Sequence, residues 1–395
     1  FSRMGIYGDP ETHQDYPDND ERFITFSHAV LGLCKRLLWK PDIIHCNDWQ
    51  TGLIPLYLKA AMKDDPFFRG TKTVFTIHNL AYQGIFPAAS YEKTGLPLEY
   101  FNPNGAEYYG NFSFVKTGIA FADAITTVSE TYAQEILTPE FGCGMEGLLN
   151  KRKKDLHGIT NGIDLTIWDP EKDMNIVKRY TADTLEAKED CKIDLCESMG
   201  IPYMKGTPII GLIARFVTQK GLDLLLEIME QIIKSGAQLV ILGSGDKQYE
   251  TFFEKQMKKH PKHVGVYLGF HDNFAHKIEA GADIFIMPSA YEPCGLNQMY
   301  SMRYGTVPVA RRTGGLADTI TDPLDATKKN LPTGFLFDKY DGKSFWKALE
   351  RAMGVYKKHP NKWRELQRNG MAQDFSWNLS ALKYAELYEK ILAKP

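Results

Sequence analysis

The chain has no long apolar run. None of its 395 residues falls in a stretch reaching the roughly 20 residues that a membrane-spanning helix needs. Charge of one sign is lacking too: 47 basic against 49 acidic residues leave −2, so no basic footprint for nucleic acid or an anionic membrane is present. The one dense basic run, Lys151-Arg152-Lys153-Lys154, reads as a solvated loop. Cysteine is sparse: Cys34, Cys46, Cys143, Cys191, Cys196 and Cys294 show no paired spacing. No histidine follows Cys191 and Cys196 at ligand distance, so reduced thiols in a cytosol-like compartment are expected rather than a zinc site or a disulfide framework. G-x-S-x-G and H-E-x-x-H patterns are missing, which argues against serine hydrolases and zinc peptidases. Low-complexity segments and solenoid-period repeats are missing as well. The chain opens at Phe1 with neither an initiator Met nor a targeting pattern, and reads as cut.

What is there is a recurrence of short β-branched runs separated by helical patterns. Strands are expected at 42–45, 73–77, 124–128 and 159–160, then at 209–213, 238–242, 264–268, 284–287, 307–309 and 335–337. Most are continuous rather than alternating, which suits parallel strands covered on both faces. Leu222, Leu225, Leu226, Met229, Ile232 and Ile233 recur at helical spacing between two of them. Alternating strands and helices imply α/β units with right-handed crossovers. Turn residues cluster at Gly158–Pro170. The chain is therefore divided into residues 1–160, residues 161–375, and a final segment 376–395. Leu382, Ala385, Tyr388 and Leu392 lie on one face of that segment, which is expected to return to the first domain.

Several strand ends carry polar or charged groups, and ligands of open α/β sheets sit at the carboxyl edge. Arg215 and Lys220 leave one strand five residues apart, so both cations can reach a point where a leaving diphosphate would accumulate charge. The alternative is an ordinary pair of surface cations. Ser289-Ala-Tyr-Glu-Pro-Cys-Gly295 leaves another strand and enters a helix expected from Leu296 to Tyr304, whose free N–H groups would favour an anion. Glu292 in that turn would be repelled by phosphate and is assigned to sugar hydroxyls or a developing cation; the turn could also be simply a helix cap. Gly243-Ser-Gly-Asp246 and Arg311-Arg-Thr-Gly-Gly315 could bring backbone close to a nucleotide. In the first domain Asp48, Trp49, His78 and Asn79 leave strands together. An acid, a ring and an amide suit carbohydrate, although His78 alone could be a structural histidine.

Together these segments resemble the ADP-glucose-dependent starch and glycogen synthases, retaining glycosyltransferases of the GT-B fold. The resemblance runs through Tyr7-Gly-Asp-Pro10, Tyr16–Arg22, His45-Cys-Asn-Asp-Trp-Gln50, Phe75–Gly84, Thr138–Gly144, Thr160–Asp164, Gln219–Asp223, Glu292–Gly295 and Arg311–Asp318. It implies two Rossmann-like domains facing a cleft, and transfer of glucose from ADP-glucose to the non-reducing end of an α-1,4-glucan with retention. It assigns Arg215 and Lys220 to the diphosphate, Glu292 to the donor glucose, Phe270 to the adenine, and Gly295, Leu296 and Asn297 to the phosphates. Gln219 and Cys294 join that donor group. His78 and Asp48 go to the reacting centre, where the imidazole or its neighbouring carbonyl would stabilise an oxocarbenium-like transition state. Trp49, Asn79 and Asn161 would line the donor and acceptor cleft. Tyr300 stands where many related retaining transferases carry a second glutamate, which favours the starch and glycogen synthases over sucrose-synthase-like relatives.

The resemblance further implies no metal and no cofactor beyond the donor, and domain closure about the segment near Asn161. ADP-glucose, ADP and the glucan are the expected partners, with no nucleic acid or membrane, in a plastid or a bacterial cytoplasm. The family's Lys-x-Gly-Gly loop does not occur before Asp9, so the chain is expected to lack the first strands of its N-terminal sheet and to be a poor catalyst. Three alternatives stay open. A glucan-binding scaffold that retains the cleft would not need the Arg215–Lys220 clamp. A glycoside hydrolase would need two flanking carboxylates. A sugar-nucleotide epimerase would turn over donor without acceptor.

Overall fold

The computed structural model describes residues 3–9 and 14–393. Pro10, which closes the Tyr7–Pro10 motif, lies outside the described residues. The chain folds into two compact units: the first runs up to Thr160 and takes in the segment from Ala381 onward, and the second is Asn161–Ser380.

The first unit has a four-stranded parallel sheet. Its strands are β1 (Ile43–Asn47), β2 (Lys72–Ile77), β6 (Ala124–Thr127) and β7 (Leu156–Gly158), in the order β1-β2-β6-β7. The last strand sits two to three residues before the expected 159–160. Between β2 and β6 lies a small antiparallel sheet that the hydrophobic pattern did not signal: β3 (Ile85–Pro87), β4 (Glu107–Tyr108) and β5 (Asn111–Ser113), in the order β3-β5-β4. Its strands are too short to show a period of two. Buried Phe75, Ile77, Phe112, Phe114, Ile119 and Ile125 belong to one core cluster.

Lys151, Lys153 and Lys154 of the basic run are exposed, as expected, but Arg152 is not simply solvated. Arg152 donates from Nη1 to the carbonyls of Ile119 (2.7 Å) and Ala120 (3.0 Å), and from Nη2 to that of Ala122 (2.7 Å). Its cation therefore closes the helix Phe114–Phe121 at the end where backbone carbonyls have no partners and the dipole is negative.

The C-terminal helix Trp377–Leu392 ends in the first unit. Its buried stripe differs from the expected one: Leu387 and Ile391 pack with Val74, Ala124 and Ile159, flanked by Tyr384 and Tyr388, whereas Leu382 is 62 % exposed. Both stripes satisfy helical spacing, and tertiary packing selects one of them.

The second unit contains β8 (Ile209–Phe216), β9 (Gln238–Gly245), β10 (Val264–Leu268), β11 (Ile284–Met287), β12 (Val307–Arg311) and β13 (Phe335–Phe337). All are parallel, in the order β10-β9-β8-β11-β12-β13. The chain builds outward from β8 to β10, then returns to lay β11 on the other side of β8. This reversal leaves a crevice at the carboxyl ends of β8 and β11, where such sheets bind ligands. The strands are buried on both faces: Ile210, Leu212, Ile241, Ile284 and Val309 lie in one core layer, and Ile209, Val240, Leu242, Phe285 and Ala310 in the other.

The charged stretch before β8 is less solvated than its composition suggests. Lys192 pairs with Asp283 at 2.8 Å and donates to the Thr207 carbonyl. Lys188 donates to the carbonyls of Glu279, Ala280 and Tyr304 and to the Thr306 hydroxyl. These lysines are buried because each ammonium has a full set of acceptors.

Candidate active site

At the reversal of the second sheet, Lys220 Nζ donates to Glu292 Oε2 at 2.7 Å. Ser289 Oγ donates to the same oxygen at 3.0 Å, and Glu292 is only 6 % exposed. Residues 72 apart in sequence meet because β8 and β11 are neighbours. Arg215, at the end of β8, is exposed and forms no ion pair among the described residues. It shares with Lys220, Gly243, Ser244, Phe270 and Asn297 a cavity of about 260 Å³. Phe270 is 84 % exposed, so its ring face is free. A smaller cavity of about 80 Å³ adjoins, lined by Lys220, Glu292, Gly295, Leu296 and Asn297 among others.

The surrounding loops are braced by groups that the resemblance had assigned to the donor. Gln219 donates to the Tyr291 carbonyl at 3.2 Å, and its own carbonyl accepts from Ala290. Asn297 Nδ2 donates to the Ile213 carbonyl at 2.9 Å, tying the short helix Asn297–Arg303 to β8. The helix is seven residues rather than the nine expected, so its dipole is a modest aid to an anion. Cys294 is buried, and burial pushes its thiol up to about 12, against an opposing hydrogen bond with the backbone of Asn161. It stays protonated and packs rather than reacts.

The glycine motifs also serve the protein's own backbone. A Cβ on Gly314 would stand 2.0 Å from the Glu292 carbonyl oxygen, and one on Gly315 2.0 Å from that of Cys294. One on Gly243 would stand 1.9 Å from the Ala214 carbonyl oxygen. These are approaches of the chain to itself, and Gly243 at the same time lines the larger cavity. Gly315 N–H donates to the Glu292 carbonyl at 3.1 Å, and Arg311 donates to the Ala290 carbonyl. Tyr300 stacks on Trp168 with ring centroids 4.0 Å apart, and Trp168 stacks in turn on His276.

In the first unit, Asp48 follows β1 with φ 57° and ψ −177°, a region occupied almost only by glycine. The strained backbone turns its carboxylate to accept from the His78 N–H at 2.8 Å. Burial raises the Asp48 carboxyl, opposed by the His78 amide, the His78 ring and the Asn79 amide. His78 Nε2 lies 2.9 Å from Asn47 Oδ1; an amide oxygen only accepts, so Nε2 donates. Asn79 Oδ1 accepts from Ala81 N at 3.1 Å, a local turn contact.

Trp49 is not an open platform for sugar. Its ring meets Phe23 edge-on at 4.6 Å and also neighbours Phe86 and Phe114, and a Cβ on Gly84 would stand 2.5 Å from it. Sequence reasoning missed Asn47 and Ser289, which hold His78 and Glu292. Each lies within three residues of a group that was singled out.

Two parallel α/β sheets in separate units, one with cations and a carboxylate gathered at its reversal, define a glycosyltransferase of the GT-B class. The starch synthase catalytic domain family matches residues 1–151 and glycosyl transferases group 1 matches residues 201–369. A glycogen synthase of Geotalea daltonii is 48 % identical over 394 residues, covering 100 % of this chain and 80 % of the relative. One of Thermotoga petrophila is 49 % identical over 378 residues, covering 96 % and 77 %. The catalytic domain of starch synthase IV from Arabidopsis thaliana, bound to ADP and acarbose, matches with a TM-score of 0.90 and 37 % identity, over 96 % of this chain and 79 % of that one. A sucrose-phosphate synthase of Thermosynechococcus elongatus shares the fold at a TM-score of 0.60 and 19 % identity, over 98 % and 82 %. The chain belongs to the glycogen and starch synthase family of glycosyltransferases. No helix among the described residues is long and apolar enough to cross a membrane.

Proposed function

We propose that the second unit binds ADP-glucose in the cavity shared by Arg215, Lys220 and Phe270, and that its glucosyl group passes to the non-reducing end of an α-1,4-glucan with retention. The observation that carries this reading is the position of two cations and a free aromatic face on one cavity at the end of β8, with a carboxylate paired to one of the cations. Phe270 packs on the adenine. Arg215 and Lys220 take up the charge that grows on the diphosphate as the bond to the anomeric carbon breaks. This is the neutralisation a divalent ion supplies in other transferases.

Both bonds to Glu292 converge on Oε2, which leaves Oε1 to accept from a hydroxyl of the donor glucose. The incoming 4-hydroxyl attacks from the face the diphosphate leaves, and its proton passes to a departing phosphate oxygen. In the first unit, the carboxylate of Asp48 accepts from the His78 amide and orients the backbone there. Asn161, Gln219, Cys294, Gly295, Leu296 and Asn297 shape the donor loops, and Asn79 serves the acceptor side.

The test is transfer of labelled glucose from ADP-glucose and from UDP-glucose into glycogen, with native protein and Arg215→Ala. Loss of transfer with glycogen retention intact supports the assignment; equal loss of both removes it. Glucose release from glycogen without nucleotide would instead identify a hydrolase.

A further inference from the structure

A chain of nearly balanced charge gathers four cations at a place the proposed reaction does not use. A cavity of about 250 Å³ lies at the amino edge of the first unit's parallel sheet, where β2 and β6 begin. Asp48 and His78 leave the opposite, carboxyl edge. Lys59, Lys63, Arg69 and Lys72 all line the cavity, and Asp123 is the only acid among the described residues that do.

The four cations have no partners of their own. None forms an ion pair or a side-chain hydrogen bond among the described residues. Asp123 does not neutralise them, because its Oδ2 accepts from the amide (2.7 Å) and the hydroxyl (2.8 Å) of Thr73. Nearby acids are taken as well: Asp155 pairs with Arg152 at 3.0 Å and Asp65 with Lys35 at 2.6 Å. Lys59 closes the helix Ile54–Lys59, where the dipole favours a cation. The other three lie outside that helix.

Like charges gathered in this way repel one another. Lys59 can be reached from solvent, yet desolvation by the protein around it, aided by Arg152 and Lys72 and opposed by Asp123 and Asp155, lowers its ammonium from the ordinary lysine value. Leu58, Met62 and Phe68 make part of the wall apolar, so the field inside is poorly screened. Two main-chain donors are also uncommitted. The N–H groups of Arg69 and Gly70 have no acceptor among the described residues. Gly70 takes φ 86° with nothing within 4 Å of its Cβ position, and successive amides in such turns hold anions.

We propose that this cavity binds a small, multiply charged phosphate anion, held by Lys59, Lys63, Arg69, Lys72 and the amides of Arg69 and Gly70. Phosphate offers several charged oxygens to cations that arrive from separate segments of the chain. The site is separate from Arg215 and Lys220, which belong to the other unit.

The test uses inorganic tripolyphosphate and the Arg215→Ala protein, in which the donor cavity is disabled. The anion should raise its melting temperature by about 2 °C or more, and sodium chloride at matched ionic strength should not. Adding Lys59→Gln/Arg69→Gln should weaken calorimetric affinity for tripolyphosphate at least about tenfold. Without ligand, that variant should melt at the same temperature or higher, because repulsion is relieved; a loss of affinity is then not a loss of fold. Binding by the native protein that vanishes in Arg215→Ala puts the anion in the donor cavity and overturns the proposal. An equal rise with sodium chloride, or affinity indifferent to Lys59 and Arg69, overturns it too.

Discussion

Lys220 and Glu292 form an ion pair of 2.7 Å at the carboxyl ends of β8 and β11. Lys220→Ala should lower transfer by about 10²–10³-fold, the size expected when a group facing developing charge is lost. It should also reduce stability by roughly 2 kcal/mol, because Glu292 keeps only Ser289 as partner in a buried site. The double variant Lys220→Met/Glu292→Gln should recover much of the melting temperature and none of the activity. Arg215→Ala should cost similar activity with no change in melting temperature, since the guanidinium is exposed. Recovery of transfer in the double variant would remove Lys220 from the mechanism.

Gly314→Ala should be severe although the residue is assigned no ligand. The new Cβ would meet the Glu292 carbonyl oxygen at 2.0 Å, and a shift of about 1 Å in that loop is enough to lower the rate about 100-fold. Gly236→Ala is the control: it also has positive φ but nothing within 4 Å. It should cost about 1 kcal/mol of stability from strain and leave kcat intact. Equal kcat in the two variants would show that the glycine does not position Glu292.

Asp48 should show a separation between stability and activity. Asp48→Asn keeps an acceptor for the His78 N–H and carries the same backbone strain as the aspartate it replaces. Its melting temperature should stay within a few degrees while transfer falls at least about tenfold. Asp48→Ala should lose roughly 1–3 kcal/mol as well, since the His78 N–H is left without its acceptor. Thermal melts and initial rates on the same preparations decide it, and an active Asp48→Asn would limit the carboxylate to a structural role.

Glu279 predicts a pH dependence of stability. Burial pushes its carboxyl up to about 8, opposed by the Ser301 hydroxyl and the Lys188 ammonium, and Oε1 has no hydrogen-bond partner among the described residues. The folded state then holds a proton that the unfolded chain releases above about 4.5. The stabilisation is complete below the unfolded value, declines as pH rises, and is gone above about 8. Glu279→Gln should remove this decline. The native protein should lose on the order of a few kcal/mol relative to the variant between pH 5 and 8, measured as denaturant midpoints. Parallel curves would contradict a protonated Glu279.

The parallel strands of the second unit were legible because each is a continuous apolar run covered on both faces, and Arg215, Lys220 and Glu292 stood out because they leave such runs. The small sheet β3-β5-β4 was not legible, its strands being two or three residues long. What a glycine is for was also hidden. Gly243, Gly314 and Gly315 suggested room for nucleotide, but the backbone that approaches them belongs to segments far along the chain. Trp49 looked like a sugar platform because a ring beside an acid has that appearance in one dimension; its packing on Phe23 and Phe86 depends on residues more than 25 positions away on either side. Arg152 could not be separated from its basic neighbours until the end of a helix about 30 residues upstream came to lie against it.

The reversal between β8 and β11 has a consequence for how the protein is made. A ribosome that has extruded the chain through Phe270, just past β10, has delivered Arg215, Lys220 and Phe270 but not Glu292, and the edge of β8 that receives β11 is still bare. The donor pocket is therefore a late product of translation. Nucleotide added to stalled nascent chains should begin to protect them from protease only once Gly314 and Gly315 have cleared the exit tunnel.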